Sequence, residues 1–154
     1  MRRNMLQTFE SAPTTTNSVI DELEQWLGIK LPQSYRQFLL CRNGGRPERD
    51  LVAVPTCAAN PVARIHFFFG AGDPEKSCDL RWNWMIFADR IPQGVVPIAT
   101  TEGADKICLN LLNKDGPVVY WDAYSTTSIQ LHPVARSFAE FLDMLSADEL
   151  SPTR

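Results

Sequence analysis

The apolar residues between positions 18 and 43 recur with the spacing of an α-helix, and they predict two consecutive amphipathic helices. The apolar stripe of the first helix consists of Val19, Ile20, Leu23, Trp26 and Leu27. We expect Ser18 to cap this helix together with Asp21, and Gly28 to end it in the left-handed conformation. Pro32 is expected in the first turn of the second helix, where its missing N–H costs nothing. The two helices therefore form a hairpin with one apolar side that must pack against other elements.

Farther along the chain, short apolar runs and period-two alternation replace the helical period, and they predict short strands. The predicted strands cover residues 65–69, 95–99, 106–111 and 117–121. Between the first two of them, Ser77 is expected to cap a short helix that carries Trp84. A final helix is predicted after Ser137, which can form a capping box with Glu140.

The order of the elements, helices followed by strands and a closing helix, predicts an α+β fold with a central, mainly antiparallel sheet flanked by helices. In residues 106–111 apolar positions alternate with Lys106, Cys108 and Asn110, so we expect one buried and one wetter face of the sheet. The 154 residues fit a single domain. We place that domain at residues 18–147, after a flexible lead-in at residues 1–17 and before a short tail at residues 148–154.

The formal net charge of −3 is unevenly distributed along the chain. Residues 101–154 contain eight acidic and four basic residues, whereas the remainder is close to neutral. An acidic surface argues against binding of nucleic acid, which needs clustered Lys and Arg. It suits a basic protein partner, because complementary charge speeds the encounter. The alternative is that the acidic residues only keep the protein soluble.

The four cysteines are widely spaced and form no CxxC motif; they are Cys41, Cys57, Cys78 and Cys108. No apolar run has the length of a membrane span. The basic start, Met1-Arg2-Arg3, is not followed by the apolar segment of an export signal. We therefore expect free thiols in a reducing, cytoplasmic setting, without contact with a membrane.

His66 and His132 are the only histidines, and neither lies in a sequence motif for metal binding or catalysis. We expect His66 within or at the edge of an aromatic strand, and His132, which precedes Pro133, in a solvated turn. On this basis no catalytic, cofactor-binding or metal-binding residue is predicted. The carboxylates of Glu102 and Asp105 are expected in a solvated turn, with acid–base chemistry or cation binding as the open alternative.

Aromatic residues near these carboxylates indicate a surface for a partner. We expect Trp84 and Tyr120 in the core, and Trp82, Trp121 and Tyr124 at the surface. Trp and Tyr are enriched in interface hot spots because they bury a large area at low entropic cost. The predicted partner-binding rim is formed by Trp82, Glu102, Asp105, Trp121, Asp122 and Tyr124.

The predicted helical hairpin carries the residues of a known family pattern. These residues are Ile29-Lys30-Leu31-Pro32, Tyr35, Phe38-Leu39 and Asn43-Gly44-Gly45. Later stretches follow in the family's order, at residues 91–99, 103–109, 118–122 and 137–142. Over residues 18–146 the chain resembles the SUKH superfamily, which includes yeast cell-wall assembly regulators and bacterial immunity proteins. Residues 50–90 depart most from the family pattern.

The resemblance implies a non-enzymatic protein-binding module and, in bacteria, an immunity protein that neutralises a toxin by occlusion. The partner would be a basic, nuclease-like toxin, and the protein itself would be a monomer or weak dimer without a cofactor. Two alternatives stay open. One is a regulatory scaffold of the cell-wall regulator type, and the other is a small hydrolase or metal-dependent enzyme that uses Glu102, Asp105 and His66 or His132.

Overall fold

The computed structural model describes residues 5–125 and 130–147, and it has the predicted α+β architecture. Its helices are α1 (Asn17–Leu27), α2 (Gln33–Cys41), α3 (Leu80–Ile86) and α4 (Phe138–Met144), with a 3-10 turn at Lys76–Cys78. Its strands are β1 (Thr8–Phe9), β2 (Arg46–Pro47), β3 (Leu51–Ala53), β4 (Val62–Phe68), β5 (Val95–Thr101), β6 (Lys106–Asn110), β7 (Val118–Trp121) and β8 (Leu131–Ala135). The predicted tail at residues 148–154 lies outside the described residues. Within the described part of the chain, every helix is too short or too polar to cross a membrane.

Six strands form one antiparallel sheet in the order β3-β4-β5-β6-β7-β8. Each strand pairs with its neighbour in sequence, so the connections lie alternately at the two ends of the sheet. A separate antiparallel pair joins β1 to β2. The predicted antiparallel sheet with flanking helices is thereby confirmed.

The first helix keeps its predicted end but not its predicted cap. The hydroxyl of Thr16 accepts the Val19 N–H at 3.3 Å, so the cap predicted at Ser18 is wrong. Both candidate residues carry a hydroxyl, and the helix begins after the first of them. Gly28 ends α1 with a φ of +75°, as predicted, and its N–H donates to the Glu24 carbonyl at 2.8 Å.

An ion pair with little solvent exposure holds α1 against α2. The carboxylate of Glu24 accepts the Leu31 N–H at 2.7 Å and lies 2.9 Å from the Arg36 guanidinium. Arg36 also contacts Asp21 at 3.0 Å. Because the Leu31 bond fixes the connection and the Arg36 bonds fix the second helix, the hairpin packs on the sheet as one unit.

The core occupies both faces of the sheet. On one face, aromatic rings of α2 and α4 pack against the end of β4. These rings are Tyr35, Phe38, Phe68, Phe138 and Phe141. A smaller cluster on the other face consists of Ile91, Val95, Cys108 and Trp121. Lys106 and Cys108 are buried there, so the predicted wetter face is wrong at this point, because Phe87 and Ile91, which follow α3, cover the strand.

The third helix is fixed to the sheet by one buried ring. Its cap is Asp79 and not the predicted Ser77, since the Asp79 carboxylate accepts the Trp82 N–H at 3.1 Å. Trp84 is buried as predicted, and its Nε1 donates to the Pro97 carbonyl at 2.9 Å. This bond ties α3 to β5 and leaves the side chain of Trp82 half-buried beside it.

Residues before position 18, where the domain was predicted to start, also pack against the rest of the protein. Within the lead-in predicted to be flexible, Leu6 is buried and β1 pairs with β2. Ala12 donates its N–H to the Asn43 carbonyl at 3.0 Å, and the Asn43 amide donates to the Pro13 carbonyl at 2.7 Å. Residues 5–16 are therefore fastened to the turn that follows α2.

Candidate functional site

Most of the predicted rim comes together at one end of the sheet. The β5–β6 turn contains Glu102 and Asp105, and the strand register sets this turn beside the last residue of β7 and the first residue of β8. Asp122 and Tyr124 follow β7 directly. We call Glu102, Asp105, Asp122 and Tyr124 the acidic end of the sheet.

Asp105 links the two segments that form the acidic end. Its Oδ1 accepts the Ala123 N–H at 2.8 Å, and its Oδ2 accepts the hydroxyl of Tyr120. That hydroxyl in turn accepts the Asn60 amide at 2.7 Å. Burial, and then the hydrogen bond to Asp105, raises the pKa of Tyr120, so Tyr120 stays a donor. Asp105 therefore positions Ala123, which lies just after β7, and both of its carboxylate oxygens are engaged.

Glu102 is the exposed member of the β5–β6 turn. Its carboxylate lies 3.4 Å from the guanidinium of Arg64, which also contacts Asp50 at 2.8 Å. Trp82 lines the same shallow cleft as Glu102, and His66 is exposed on β4 at its edge. The structure thus brings Trp82 and Glu102 together, and Trp82 has the partial exposure that its sequence context predicts.

Trp121 does not contribute to this surface. The predicted exposure of Trp121 is wrong, because the ring is 1% exposed. It packs edge-on against Phe87 at a centroid distance of 5.8 Å, and the Arg90 guanidinium lies 5.0 Å from its centroid. Its strand neighbour Lys106 is also covered: Nζ donates to the Ala104 carbonyl at 2.6 Å, and burial lowers the pKa of Lys106.

Asp122 and Tyr124 lie together on the solvent side of the acidic end. One oxygen of Asp122 accepts the Tyr124 N–H at 3.1 Å, and the Tyr124 side chain is 77% exposed, as predicted. Both residues line a surface cleft of about 640 Å³. The cleft also contains Cys57 and His132, two residues that the sequence pattern did not connect with the rim.

Cys57, Asp122 and His132 form a cluster that sequence reasoning missed. One ligand atom from each, the thiol sulfur, a carboxylate oxygen and a ring nitrogen, lie within 4.8 Å of one another. The solvated turn predicted for His132 is wrong, because the residue lies buried in β8 with Nδ1 2.8 Å from the Thr56 hydroxyl. In the β7–β8 hairpin His132 pairs with Tyr120, two residues before Asp122, whereas no local spacing points to Cys57.

A different surface lies at the opposite end of β5 and β6. Trp26, at the margin of the apolar stripe of α1, is 41% exposed and stacks on Trp84 at a centroid distance of 6.3 Å. The two rings line a groove of about 370 Å³. Further lining residues are Leu27, Ile29, Phe87, Ile91 and Leu111. We call this surface the apolar groove. Exposed Met85, Ile86 and Leu112 lie on the elements that border it.

Comparison with known proteins places this architecture among described families. A model of the SMI1 / KNR4 family (SUKH-1) matches residues 14–144. An SPbeta prophage-derived uncharacterized protein, YokK of Bacillus subtilis (strain 168), is 25% identical over 143 residues, with 82% of this chain and 72% of YokK covered. The crystal structure of a protein from Pseudomonas syringae pv. tomato superposes with a TM-score of 0.57 at 18% identity, covering 90% of this chain and 87% of the other. At that identity the second likeness shows the fold alone.

Proposed function

Because the chain belongs to the SMI1 / KNR4 family (SUKH-1), we propose that it is a non-enzymatic protein-binding module that acts as a bacterial immunity protein. Its partner is a basic toxin of the nuclease class, which it neutralises in the cytoplasm by covering the catalytic cleft. The binding surface is the acidic end of the sheet. Charge complementarity speeds the encounter, and aromatic side chains supply the contact area.

The observation that carries this proposal is the exposure of Tyr124 beside carboxylates that the fold holds in place. Asp122 is bonded to the Tyr124 backbone, and Asp105 fixes the preceding residue, so residues 122–124 are held in place before a partner arrives. Such pre-organisation lowers the entropic cost of binding. Trp82 and Glu102 extend the same end of the sheet across the β5–β6 turn.

The experiment is a pull-down of the tagged protein against the product of the adjacent upstream gene, at low and at moderate salt. We expect a stoichiometric complex that weakens as salt screens the charges, together with loss of the toxin's nuclease activity in the complex. Replacing Tyr124→Ala should weaken binding by about 2 kcal/mol, or roughly 30-fold in Kd. The double variant Glu102→Gln and Asp122→Asn should reduce the association rate and its salt dependence.

Two control variants separate this surface from the rest of the molecule. Asp115→Asn removes an exposed carboxylate in the β6–β7 turn, at the opposite end of the sheet, and should leave binding unchanged. Trp26→Ala removes the exposed ring of the apolar groove and should do the same. A complex that is lost with Trp26→Ala and kept with Tyr124→Ala would reject the acidic end as the binding surface. Absence of a complex at both salt concentrations would reject this gene product as the partner.

A further inference from the structure

We propose that Cys57, Asp122 and His132 form a binding site for one zinc ion. The three candidate ligand atoms already lie within 4.8 Å of one another, although the residues come from three separate segments. This inference rests on the isolated protein and is independent of the proposed toxin partner.

The donor set matches the chemistry of zinc. A thiolate, an imidazole and a carboxylate are the three side-chain donors that Zn²⁺ binds, at about 2.3, 2.0 and 2.1 Å. In tetrahedral geometry these bond lengths set the ligands roughly 3.5 Å apart. The ligand atoms here need to approach by only about an ångström. A mixed sulfur, nitrogen and oxygen set is poorly suited to Mg²⁺ or Ca²⁺, which prefer oxygen ligands.

Backbone hydrogen bonds hold each ligand residue in place. Cys57 lies in a turn in which its N–H donates to the Val54 carbonyl at 3.0 Å. Asp122 donates its N–H to the Gln130 carbonyl at 2.8 Å, which extends the β7–β8 pairing by one step beyond Trp121 and Leu131, two residues from His132. This pairing brings the carboxylate and the imidazole to the same side of the hairpin.

The imidazole is also fixed by a neighbour outside the proposed coordination shell. His132 Nδ1 lies 2.8 Å from the hydroxyl of Thr56, the residue directly before Cys57. Zinc-binding histidines commonly donate their second ring N–H to such a partner, which sets both the tautomer and the ring orientation. The adjacent residues Thr56 and Cys57 therefore act together: Cys57 supplies one ligand, and Thr56 orients the second ligand, His132.

The burial of the three residues gives the site an enclosed side and an open side. Cys57 and His132 are buried, whereas Asp122 is partly exposed and faces the cleft. Three protein ligands with access from a cleft leave the fourth tetrahedral position to solvent or to an incoming group, as in zinc sites that are not purely structural. Zinc at this position would neutralise Asp122 within the acidic end.

The test titrates the full chain, purified with a chelator under reducing conditions, with ZnCl₂ against a chromophoric chelator. Native mass spectrometry gives the stoichiometry. Co²⁺ serves as a spectroscopic probe, because a thiolate ligand produces a charge-transfer band. We expect one ion per chain, a cobalt–thiolate band, and affinity that falls at lower pH as protons compete for the ligands. Cys57→Ala and Asp122→Asn should each lower the affinity at least about tenfold.

Matched controls distinguish a site from adventitious binding. Cys41→Ala removes an exposed thiol and Asp115→Asn an exposed carboxylate, and both variants should bind zinc like the unchanged protein. Asp122→Asn is isosteric and only partly buried, so it reports on coordination even if Cys57→Ala fails to fold. Absence of binding at micromolar zinc, or binding that survives both Cys57→Ala and Asp122→Asn, would overturn the proposal.

Discussion

The two ends of the sheet differ in the side chains that they present to solvent. The apolar groove and the acidic end lie at opposite ends of β5, which spans about 20 Å at roughly 3.3 Å per residue. At the groove, Trp26 and Leu112 leave apolar surface open to solvent. At the acidic end, the polar groups largely bond to one another, and both oxygens of Asp105 are engaged. Net charge along the chain therefore overstates the charge that is free to meet a partner.

The two ends also differ in the property that each is expected to affect. The groove contributes to stability, and the acidic end is the proposed binding surface. The floor of the groove is Trp84, a buried ring bonded to β5, so this end contributes to the core as well as to the surface. The acidic end is built on Tyr120, whose hydroxyl joins β7 to the β3–β4 connection through Asn60 and to the β5–β6 turn through Asp105. Each end can be tested by removing its central aromatic group.

The largest effect is expected at the floor of the groove. Trp84→Ala removes a buried indole together with its bond to the Pro97 carbonyl, and it should lower the free energy of unfolding by about 3–5 kcal/mol. Denaturant unfolding followed by circular dichroism measures the loss. Trp82→Ala, on the same helix but half-buried, should cost less than half as much. Equal losses would show that the groove floor is no more important to stability than the half-buried face of α3.

A smaller effect is expected at the acidic end. Tyr120→Phe keeps the ring and removes only the hydroxyl, leaving Asp105 and Asn60 each without one partner. The expected loss is about 1–3 kcal/mol, because buried polar groups keep their desolvation cost when a partner is removed. Tyr124→Phe, at an exposed ring, is the matched control and should be neutral. A Tyr120→Phe loss within experimental error would refute the role of this hydroxyl in joining the three segments.

The sequence predicted the helices and strands better than it predicted which residues pack against them. The helical hairpin and the antiparallel strands follow from local periodicity, and Gly28 and Trp84 lie as expected. Alternation along β6 and β7 tells which residues share a face, but it does not tell that Phe87 and Arg90, which follow α3, cover that face. For this reason the exposure of Trp121 was mispredicted.

The cluster of Cys57, Asp122 and His132 was missed for a related reason. Cys57 is 65 residues from Asp122 and 75 from His132 in sequence. Metal motifs recognisable in sequence depend on close spacing within one element. The sheet order separates β4 from β7 by two strands, so it does not reveal the cluster either. The cluster forms only because the β3–β4 connection reaches the β7–β8 hairpin in the folded chain.

The smallest effect is expected at Lys106, the first residue of β6, which follows Asp105 of the acidic end. Burial lowers its pKa, so between that lowered pKa and the ordinary value of 10.5 the unfolded chain binds more protons than the folded one. In this alkaline window Lys106 makes the free energy of unfolding rise with pH. Lys106→Met keeps the side-chain length without the charge. It should stabilise the protein near neutral pH by less than about 1.5 kcal/mol.

The gain from Lys106→Met should shrink as pH rises through the window, because the unchanged lysine then becomes neutral in both states. Comparing urea unfolding of the two proteins from neutral to alkaline pH isolates this group, since the other alkaline titrations are common to both. Lys114→Met, which removes an exposed lysine from the β6–β7 turn, is the matched control for the loss of a surface charge. If the difference in free energy of unfolding between Lys106→Met and the unchanged protein does not vary with pH, the charge of Lys106 is as well solvated in the folded protein as in the unfolded chain. The Lys106 ammonium would then be open to water, whereas the structure places its Nζ 4.9 Å from the centroid of the Phe87 ring.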